Sequence, residues 1–373
     1  MRVIFTCGGT AGHINPALAI AGKIGEMYPD SEFLFIGSGR ELENRLVPEA
    51  GYRIENLKVT GFSRKVSFDS IKKNVQMINN LRAAEKKCGK LFDDFRPDVV
   101  IGTGGYVCYP VITVASKRKI RSYIHESNAV PGLTTKMVAG KVEKIFVAFP
   151  GLEGNYKYPE KVVATGIPVR PGFGRLSKEE AKKELGISED KPLTVSFWGS
   201  LGAARMNEIM ADFIEKNYKS RSFYHIHATG GGQKGLEHML TELAERKALG
   251  LDEAGIDLRA YIDDMDKVMT AADLVLCRAG ASTIGELTYL GKPSILVPSP
   301  NVTNNHQEKN ARVIEKLGGA KVILDSQCTG EVLYNDVLEL IKDKKALETM
   351  GSAAAKAGVK DSAGMIVKLI FGH

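Results

Sequence analysis

Cysteine is scarce in this chain of 373 residues, which contains only Cys7, Cys88, Cys108, Cys277 and Cys328. The five are widely spaced and form no CxxC pair, which argues against a disulfide framework and against a thiolate zinc site. We therefore expect a reducing compartment. The chain also lacks a GxxxxGK[ST] P-loop and a complete GxGxxG fingerprint, which argues against P-loop ATPases and against nicotinamide or flavin enzymes.

Long apolar runs are missing as well. Val3–Cys7 is interrupted at once by Gly8 and Gly9, so it is too short for the apolar region of a secretory signal. Val99–Ser116 is uncharged for 18 residues, near the lower limit for a membrane span, but it contains three glycines and Pro110. This stretch predicts a buried strand, a glycine loop and the start of a helix.

Charge is present but uneven. Residues 1–170 hold 25 basic and 16 acidic side chains, whereas residues 171–373 hold 26 and 28. A net charge of +9 beside one of −2 predicts an anionic partner for the first half. No nucleic-acid-binding motif is found in it.

Short apolar runs alternate with helical patterns through both halves, which predicts parallel sheets with crossover helices. Predicted strands lie at 2–7, 33–36, 98–101, 122–125 and 145–147, then near 193–198, 223–228, 257–261, 273–277, 294–297 and 321–324. Predicted helices include 15–28, 40–50, 70–93 and 178–185. Pro16 is placed near the first turn of the first of these, where proline is tolerated.

A segment rich in proline and glycine separates the halves. We therefore predict a domain over 1–165, a hinge over 166–175 and a second domain over 176–373, with the last helix free to pack back on the first domain. The predicted fold class is α/β, with two Rossmann-like, doubly wound parallel-sheet domains that face a cleft.

Four glycine-rich loops follow predicted strands. They are Gly8–His13, Gly102–Tyr106, Gly199–Ala203 and Ala279–Thr283. Glycine allows the backbone to approach a ligand, and the helix that follows presents free N–H groups and partial positive charge. Four such loops favour a nucleotide or sugar-phosphate site.

Two other constellations have competing interpretations. Asp264-Met265-Asp266 is either a metal–nucleotide ligand pair or the start of a helix that Asp caps, and capping is favoured. His225 and His227 share one face of a strand, and structural histidines are favoured over metal ligands because no third ligand accompanies them.

Several loops together resemble one family. The matching segments are 8–16, 104–107, 125–128, 168–170, 199–203, 262–265, 278–286 and 306–311, in family order across nearly the whole chain. They resemble the MurG family of bacterial cell-wall enzymes. The resemblance implies a GT-B fold with the acceptor on the first domain and the donor on the second. It also implies an inverting transfer of N-acetylglucosamine from UDP-N-acetylglucosamine to the C4 hydroxyl of the N-acetylmuramyl unit of lipid I, giving lipid II and UDP in peptidoglycan synthesis.

The resemblance also implies residue roles. His13 is the candidate general base, because the start of a helix favours a neutral imidazole that can accept a proton; Glu126 is a weaker alternative. Donor-binding residues implied by the family are Thr10, Ala11, Gly12, Asn128, Arg170, Ser200, Ile262, Ala281, Ser282, Thr283, Glu286, His306 and Gln307. The implied acceptor and phosphate loop is Gly104, Gly105 and Tyr106.

Within the donor set, Glu286 would hold the ribose hydroxyls, the backbone of Ile262 would meet uracil, and Arg170 would neutralise charge on departing UDP. Ser200 would help to hold the diphosphate. The chain departs from the family pattern at Leu201 and Ile167, where many relatives have Gln and Asn. Leu201 cannot form the hydrogen bond that a Gln side chain offers, so the backbone N–H groups of the loop would bind the phosphate. No metal or cofactor is required by this mechanism, although a divalent cation would be able to assist.

The lipid acceptor places the enzyme at a membrane. A patch of Phe68, Ile71, Lys72, Val75 and Ile78, with Lys117 and Arg118, fits peripheral binding to an anionic surface; an ordinary packed amphipathic helix is the alternative. The resemblance implies the cytoplasmic face of the bacterial cell membrane and contact with other cell-wall synthesis proteins.

Three other functions compete. A glycolipid synthase would differ in the acceptor loops, a UDP-sugar epimerase would need no lipid acceptor, and a binding subunit would bind UDP without releasing any from the donor.

Overall fold

The computed structural model describes residues 1–59, 68–199 and 201–372, with no side chains described for 68–78. The chain divides into two compact units. The first comprises Met1–Pro171 with Lys360–His373, and the second comprises Gly172–Val359. The boundary lies within the segment predicted to be a hinge, and the C-terminal segment belongs to the first unit.

The first unit is built on a seven-stranded sheet in the order β3-β2-β1-β4-β5-β6-β7, in which every neighbouring pair is parallel. Its strands are β1 (Arg2–Cys7), β2 (Glu32–Gly37), β3 (Arg53–Asn56), β4 (Val99–Gly104), β5 (Arg121–Glu126), β6 (Lys144–Val147) and β7 (Val162–Ala164). Its helices are α1 (Ala11–Met27), α2 (Glu41–Glu49), α3 (Phe68–Phe95), α4 (Cys108–Lys117), α5 (Leu133–Val138) and, from the end of the chain, α14 (Ser362–Phe371).

The central strands read as continuous apolar runs because helices cover both faces of the sheet. Along β1, Val3 and Phe5 belong to one apolar cluster, which includes residues of α1 and α14. Ile4 points the other way, into a cluster with residues of α3 and α4. The alternation of side chains along a strand thus places two cores on the two faces of one sheet.

Helix α1 begins earlier than predicted. It starts at Ala11, so Pro16 lies in the second turn and the expectation of a first-turn proline is wrong. The start of the helix was predicted too late because Ala11 and Gly12 add nothing to the amphipathic pattern. The uncharged stretch from Val99 forms β4, a glycine loop and α4, as predicted. Among the described residues, no helix is long and apolar enough to cross a bilayer.

The second unit repeats this plan with a six-stranded parallel sheet in the order β10-β9-β8-β11-β12-β13. Its strands are β8 (Leu193–Phe197), β9 (Tyr224–Ala228), β10 (Ile256–Arg259), β11 (Leu274–Cys277), β12 (Ser294–Leu296) and β13 (Ala320–Val322). Its helices are α6 (Lys178–Glu184), α7 (Ala204–Ser220), α8 (Gln233–Glu245), α9 (Met265–Ala271), α10 (Ala281–Leu290), α11 (His306–Lys316), α12 (Gly330–Lys342) and α13 (Lys344–Ala357). In both sheets the strand order reverses once, between β1 and β4 and between β8 and β11, and ligands of such sheets bind outside the carboxyl ends of the strands at that point.

Candidate active site

In the first unit, two glycine loops meet at the carboxyl ends of β1 and β4. The N–H of Gly8 donates to the carbonyl of Gly104 across 3.2 Å. A Cβ atom at Gly105 would lie 2.6 Å from the Gly8 carbonyl oxygen, and Gly105 has a positive φ of 91°. Only glycine allows the two backbones to approach in this conformation.

His13 lies in the first turn of α1, against these loops. Its Nδ1 is 2.8 Å from the carbonyl oxygen of Gly8. A carbonyl can only accept, so Nδ1 carries a proton, and in the neutral imidazole Nε2 then keeps its lone pair. A Cβ atom at Gly104 would lie 2.3 Å from the imidazole Cδ2, and Thr103 Oγ1 donates to the His13 carbonyl across 2.6 Å. The ring is therefore held in the tautomer that a general base needs.

Thr10 is the N-cap residue of α1, but its side chain makes no capping hydrogen bond. Threonine usually caps in this position. Its hydroxyl and the N–H groups at the start of α1, where Ala11 and Gly12 lie, are thus left open at the same loop. Tyr106, which follows the second glycine loop, is one of the exposed large side chains.

Glu126, at the end of β5, is engaged by four donors. Its Oε1 accepts from the backbone and side-chain nitrogens of Asn128 at 3.2 and 3.1 Å, and its Oε2 accepts from Gly132 N at 2.8 Å and Thr135 Oγ1 at 2.7 Å. This carboxylate is buried and organises the loop that carries Asn128. It is less free to take a proton than Nε2 of His13.

His125, next to Glu126, links β5 to the segment predicted as a hinge. Its Nε2 donates to the Gly166 carbonyl across 2.9 Å, and its Nδ1 is 3.1 Å from the hydroxyl of Ser127. Burial lowers the pKa of this imidazole, which therefore stays neutral and structural. Arg170 lies one residue before the end of the first unit.

In the second unit, α10 begins at the carboxyl end of β11 with an uncapped N-terminus. Its N-cap residue, Gly280, has no side chain that could cap it. The hydroxyl of Ser282 in the first turn is buried, and no described residue pairs with it. Glu286, one turn after Ser282, is buried, and Ala281 and Thr283 flank Ser282 in the sequence. Open N–H groups, helix dipole and an unpaired hydroxyl are what a diphosphate needs.

The loop after β8 is described except for Ser200. The diphosphate contact predicted for Ser200 is therefore not tested. Leu201 is 89% exposed, and Gly202 packs against the end of β9, where a Cβ atom at Gly230 would lie 2.2 Å from Gly202 N. Gly230, Gly231 and Gly232 all have positive φ.

That triple-glycine turn is a fifth glycine loop, and it was not singled out from the sequence. The signal was present, since three glycines directly follow the strand at 224–228. It carries α8, whose N-cap Gly232 makes no side-chain cap. The turn therefore lies beside the loop after β8, at the carboxyl ends of the strands.

The remaining donor-binding candidates lie on two other loops of the second unit. The side chain of Ile262 is buried, which leaves only its backbone for a ligand. His306 Nδ1 donates to the Thr303 carbonyl across 2.8 Å, and the side-chain oxygen of Gln307 accepts from Ser299 N across 2.9 Å. The ends able to meet a sugar are Nε2 of His306, as an acceptor, and the amide nitrogen of Gln307, as a donor.

The two alternative metal motifs are engaged by protein partners. Asp264 occupies the N-cap position of α9 without a capping hydrogen bond, so the capping prediction is wrong. Its carboxylate instead pairs with Arg259 at 2.9 Å and Lys267 at 3.3 Å. His225 and His227 both contact the Ser196 hydroxyl, at 2.8 and 2.7 Å. Within the described ranges, no group of three or more His, Cys, Asp or Glu side chains is arranged to hold a metal ion.

The predicted membrane patch is only partly within the description. Side chains of Phe68, Ile71, Lys72, Val75 and Ile78 lie outside it. Lys117 pairs with Glu85 at 2.6 Å, and Arg118 pairs with Asp93 at 2.7 Å. Asp93 is 25 residues along α3 from Phe68, or about 38 Å at 1.5 Å per residue. The structure therefore does not bring Arg118 together with the start of α3.

Both units match one enzyme family. The model of the glycosyltransferase family 28 N-terminal domain matches residues 3–147, and that of its C-terminal domain matches residues 194–366. The chain belongs to glycosyltransferase family 28. A relative from Acetivibrio thermocellus is 44% identical over 99% of this chain and 97% of its own length, and one from Bacillus cereus is 37% identical over 99% and 98%. Each is named a UDP-N-acetylglucosamine–N-acetylmuramyl-(pentapeptide) pyrophosphoryl-undecaprenol N-acetylglucosamine transferase.

Solved structures agree with this family assignment. MurG of Acinetobacter baumannii has a TM-score of 0.76 at 25% identity, with 99% of both chains covered. A UDP-GlcNAc 2-epimerase from Neisseria meningitidis, solved with UDP-GlcNAc, has a TM-score of 0.69 at 13% identity over the whole of both chains. At 13% identity, the epimerase shares only the fold with this chain. The family 28 models, in contrast, match the sequence of this chain. The predicted GT-B class is confirmed.

Proposed function

We propose that this chain transfers N-acetylglucosamine from UDP-N-acetylglucosamine to the C4 hydroxyl of the N-acetylmuramyl unit of lipid I, with inversion, giving lipid II and UDP. The observation that carries the proposal is the identity of 37–44% over nearly the full chain with transferases named for this donor and acceptor. The loop geometry supports it, because it supplies one open base and an open diphosphate site.

In the first unit, His13 is the proposed general base. Its Nε2 takes the proton of the acceptor hydroxyl as that oxygen forms a bond to the anomeric carbon of the donor sugar. The bond from the anomeric carbon to the UDP oxygen breaks, and UDP leaves with the bonding electrons. Glu126 is assigned a positioning role for Asn128, since four donors already occupy its oxygens. Gly104, Gly105 and Tyr106 form the proposed acceptor side, and Thr10 is a proposed donor contact.

In the second unit, the proposed donor site is centred on α10. Its first-turn N–H groups and the Ser282 hydroxyl would hold the diphosphate and stabilise its growing charge. Glu286 would accept hydrogen bonds from the ribose hydroxyls, and His306 and Gln307 would contact the sugar. Arg170, which belongs to the first unit, is the proposed cation for the leaving group.

One assay separates this function from its competitors. Purified protein is given labelled UDP-N-acetylglucosamine with a short-chain lipid I analogue, with a diacylglycerol, or alone. Label in the lipid I analogue, with equal UDP released, is the expected result. Label in diacylglycerol would indicate a glycolipid synthase, and an altered UDP-sugar without acceptor would indicate an epimerase. UDP binding with none of these products would overturn the transferase proposal.

We also propose peripheral association with the cytoplasmic face of the membrane through the start of α3. The support is sequence pattern: apolar residues with lysines at positions 68–78, in the half of the chain with net positive charge. Because Lys117 already pairs with Glu85, Lys72 is assigned the larger share of lipid contact.

Vesicle cosedimentation checks this assignment. The protein is expected to bind vesicles with anionic lipid more strongly than neutral ones, and Lys72→Glu is expected to weaken binding more than Lys117→Glu. Equal binding to both vesicle types would contradict the electrostatic proposal.

A further inference from the structure

A fully buried carboxylate lies behind the candidate base. Glu43, in the first turn of α2, has no exposed surface. It accepts three hydrogen bonds: from Gly9 N at 2.9 Å, from Ser38 Oγ at 2.8 Å and from Arg40 N at 3.1 Å. Among the described residues, no cationic side chain pairs with it. A charge buried in this way is tolerated only where hydrogen bonds compensate its lost hydration.

The two oxygens of Glu43 do different work. Oε1 accepts from Ser38 and from Arg40, the N-cap residue of α2, which is the role of a Glu in a capping box. Oε2 reaches away from α2 to the N–H of Gly9, in the loop between β1 and α1. Helix capping therefore explains one oxygen and leaves the other unexplained.

The chain leaves room for this carboxylate on two sides. A Cβ atom at Gly8 would lie 2.9 Å from Oε2, and one at Gly37 would lie 2.9 Å from Oε1. Both distances are shorter than side-chain atoms accept without a shift. Glycine at these positions thus allows Glu43 to contact the loop between β1 and α1 directly.

The peptide group between Gly8 and Gly9 connects Glu43 to His13. Its N–H donates to Oε2 of Glu43 at 2.9 Å, and its carbonyl oxygen accepts from Nδ1 of His13 at 2.8 Å. Hydrogen bonds in a chain polarise one another. Negative charge at the N–H end increases the electron density on the carbonyl oxygen, which then holds the Nδ1 proton more firmly.

We propose that Glu43 is a positioning residue for His13, acting through the Gly8–Gly9 peptide group to fix the tautomer that leaves Nε2 as the proton acceptor. The arrangement is comparable to a carboxylate that orients a catalytic histidine directly, with one peptide group interposed. This inference rests on the proposed function of His13 as the base.

Two variants separate positioning from packing. Glu43→Gln keeps the shape of the side chain and removes its charge. Ser38→Ala removes a hydrogen bond from Oε1 of the same carboxylate but leaves the Oε2 bond to Gly9. We expect Glu43→Gln to lower kcat about tenfold, the lower end of outer-shell effects, with KM for UDP-N-acetylglucosamine within about twofold. Ser38→Ala is expected to keep kcat near the parent value.

The second readout is the His13 tautomer, measured without substrate by nitrogen NMR on ¹⁵N-histidine-labelled protein. The His13 signals are assigned as those missing from His13→Gln. We expect the Nδ1–H form in the parent and in Ser38→Ala, and a larger Nε2–H fraction in Glu43→Gln. Because no substrate is needed, this result stands even if the transferase proposal fails.

Three outcomes would overturn the inference: parent-like kcat and tautomer in Glu43→Gln, an equal loss of kcat in Ser38→Ala, or a mainly Nε2–H imidazole in the parent. The last is measured on the unmodified protein, so it decides the matter even if Glu43→Gln fails to fold.

Discussion

The helices of the second unit fall into two groups according to how they begin. Helices α7, α8, α9, α10 and α11, which follow strand-end loops, have no side-chain cap from their N-cap residues. Helices α6, α12 and α13 begin at Ser177, Thr329 and Asp343, whose side chains accept from the first turn. A helix whose N-terminus has no side-chain cap is about 1 kcal/mol less stable than a capped one.

This difference teaches where a ligand is expected. The chain uses capping residues where a helix start has only a structural role, and omits them where several loops converge at the carboxyl ends of the strands. The buried histidines differ from the candidate base in exposure. His225 and His227 share Ser196 inside the sheet, and each keeps its other ring nitrogen buried without a partner among the described residues, whereas His13 is only partly buried. The N–H groups of the uncapped helix starts are therefore the contacts expected for a ligand.

The largest expected effect is at the open imidazole. His13→Ala is expected to lower kcat in the transfer assay by about a hundredfold or more, the usual scale for loss of a general base. His238→Ala is the matched control, because His238 is exposed on α8 and is expected to change nothing. Near-parent turnover in His13→Ala would remove the catalytic role and the contrast with the paired histidines.

The next effect concerns the paired histidines. Burial lowers the pKa of His227 to about 4 and lowers that of His225 further below its ordinary value, where the neighbouring His227 adds to the effect. The unfolded chain, with a histidine pKa of about 6.5, binds protons that the folded state cannot. The free energy of unfolding is therefore highest above about pH 6.5 and falls as the pH drops toward 4.

For His227 alone the loss on acidification is about 3 kcal/mol. The measurement is urea unfolding at several pH values, followed by fluorescence of Trp198, which is the sole tryptophan and is buried in the core of the second unit. His227→Gln is expected to flatten the pH dependence, and His238→Ala is expected to leave it unchanged. An unfolding midpoint that is flat between pH 7 and 5 in the parent would contradict the assignment.

Most of the fold could be predicted from the sequence, and the exceptions have a physical cause. Arg2–Cys7 was predicted with its observed bounds, and all six strands of the second unit were found near their positions. Strands β3 and β7 were missed because they are the edge strands of the first sheet. Their partly exposed residues need no strong apolar pattern.

The candidate site was predicted less completely. Four of the five glycine loops were predicted because glycine follows an apolar run, a signal local in sequence; the loop at 230–232 has the same signal and was missed. Glu43 was missed because its partner Gly9 is 34 residues away, and nothing in the local pattern of α2 points to it. The ion pairs of Lys117 and Arg118 with α3 are long-range as well, so sequence alone counted these cations as free.

A cap added where the chain omits one directly tests the comparison. Gly280 has φ −66° and ψ 143°, values any residue adopts, and a Cβ atom there would meet only Thr283 Oγ1 at 4.0 Å. Gly280→Asp is expected to raise stability by a few tenths of a kcal/mol and to weaken UDP binding about tenfold or more, because its carboxylate takes the N–H groups and repels the diphosphate.

Gly280→Asn is the neutral control for that experiment. It offers a similar cap without the charge, so calorimetric titration with UDP is expected to show a smaller loss of affinity than Gly280→Asp. Parent-like UDP affinity in Gly280→Asp would mean that the uncapped start of α10 is not the diphosphate site.

The smallest expected effect comes from removing a cap on the other group. Thr329 Oγ1 accepts from Val332 N across 3.1 Å at the start of α12. Thr329→Ala is expected to lower the free energy of unfolding of the second unit by about 1 kcal/mol, measured by Trp198 fluorescence in urea, with UDP affinity unchanged. Gly280→Asp is thus expected mainly to lower UDP affinity, whereas Thr329→Ala is expected to lower only stability. A loss of UDP affinity in Thr329→Ala would show that helix starts throughout this unit are coupled to the ligand, and the distinction between open and capped starts would no longer locate the site.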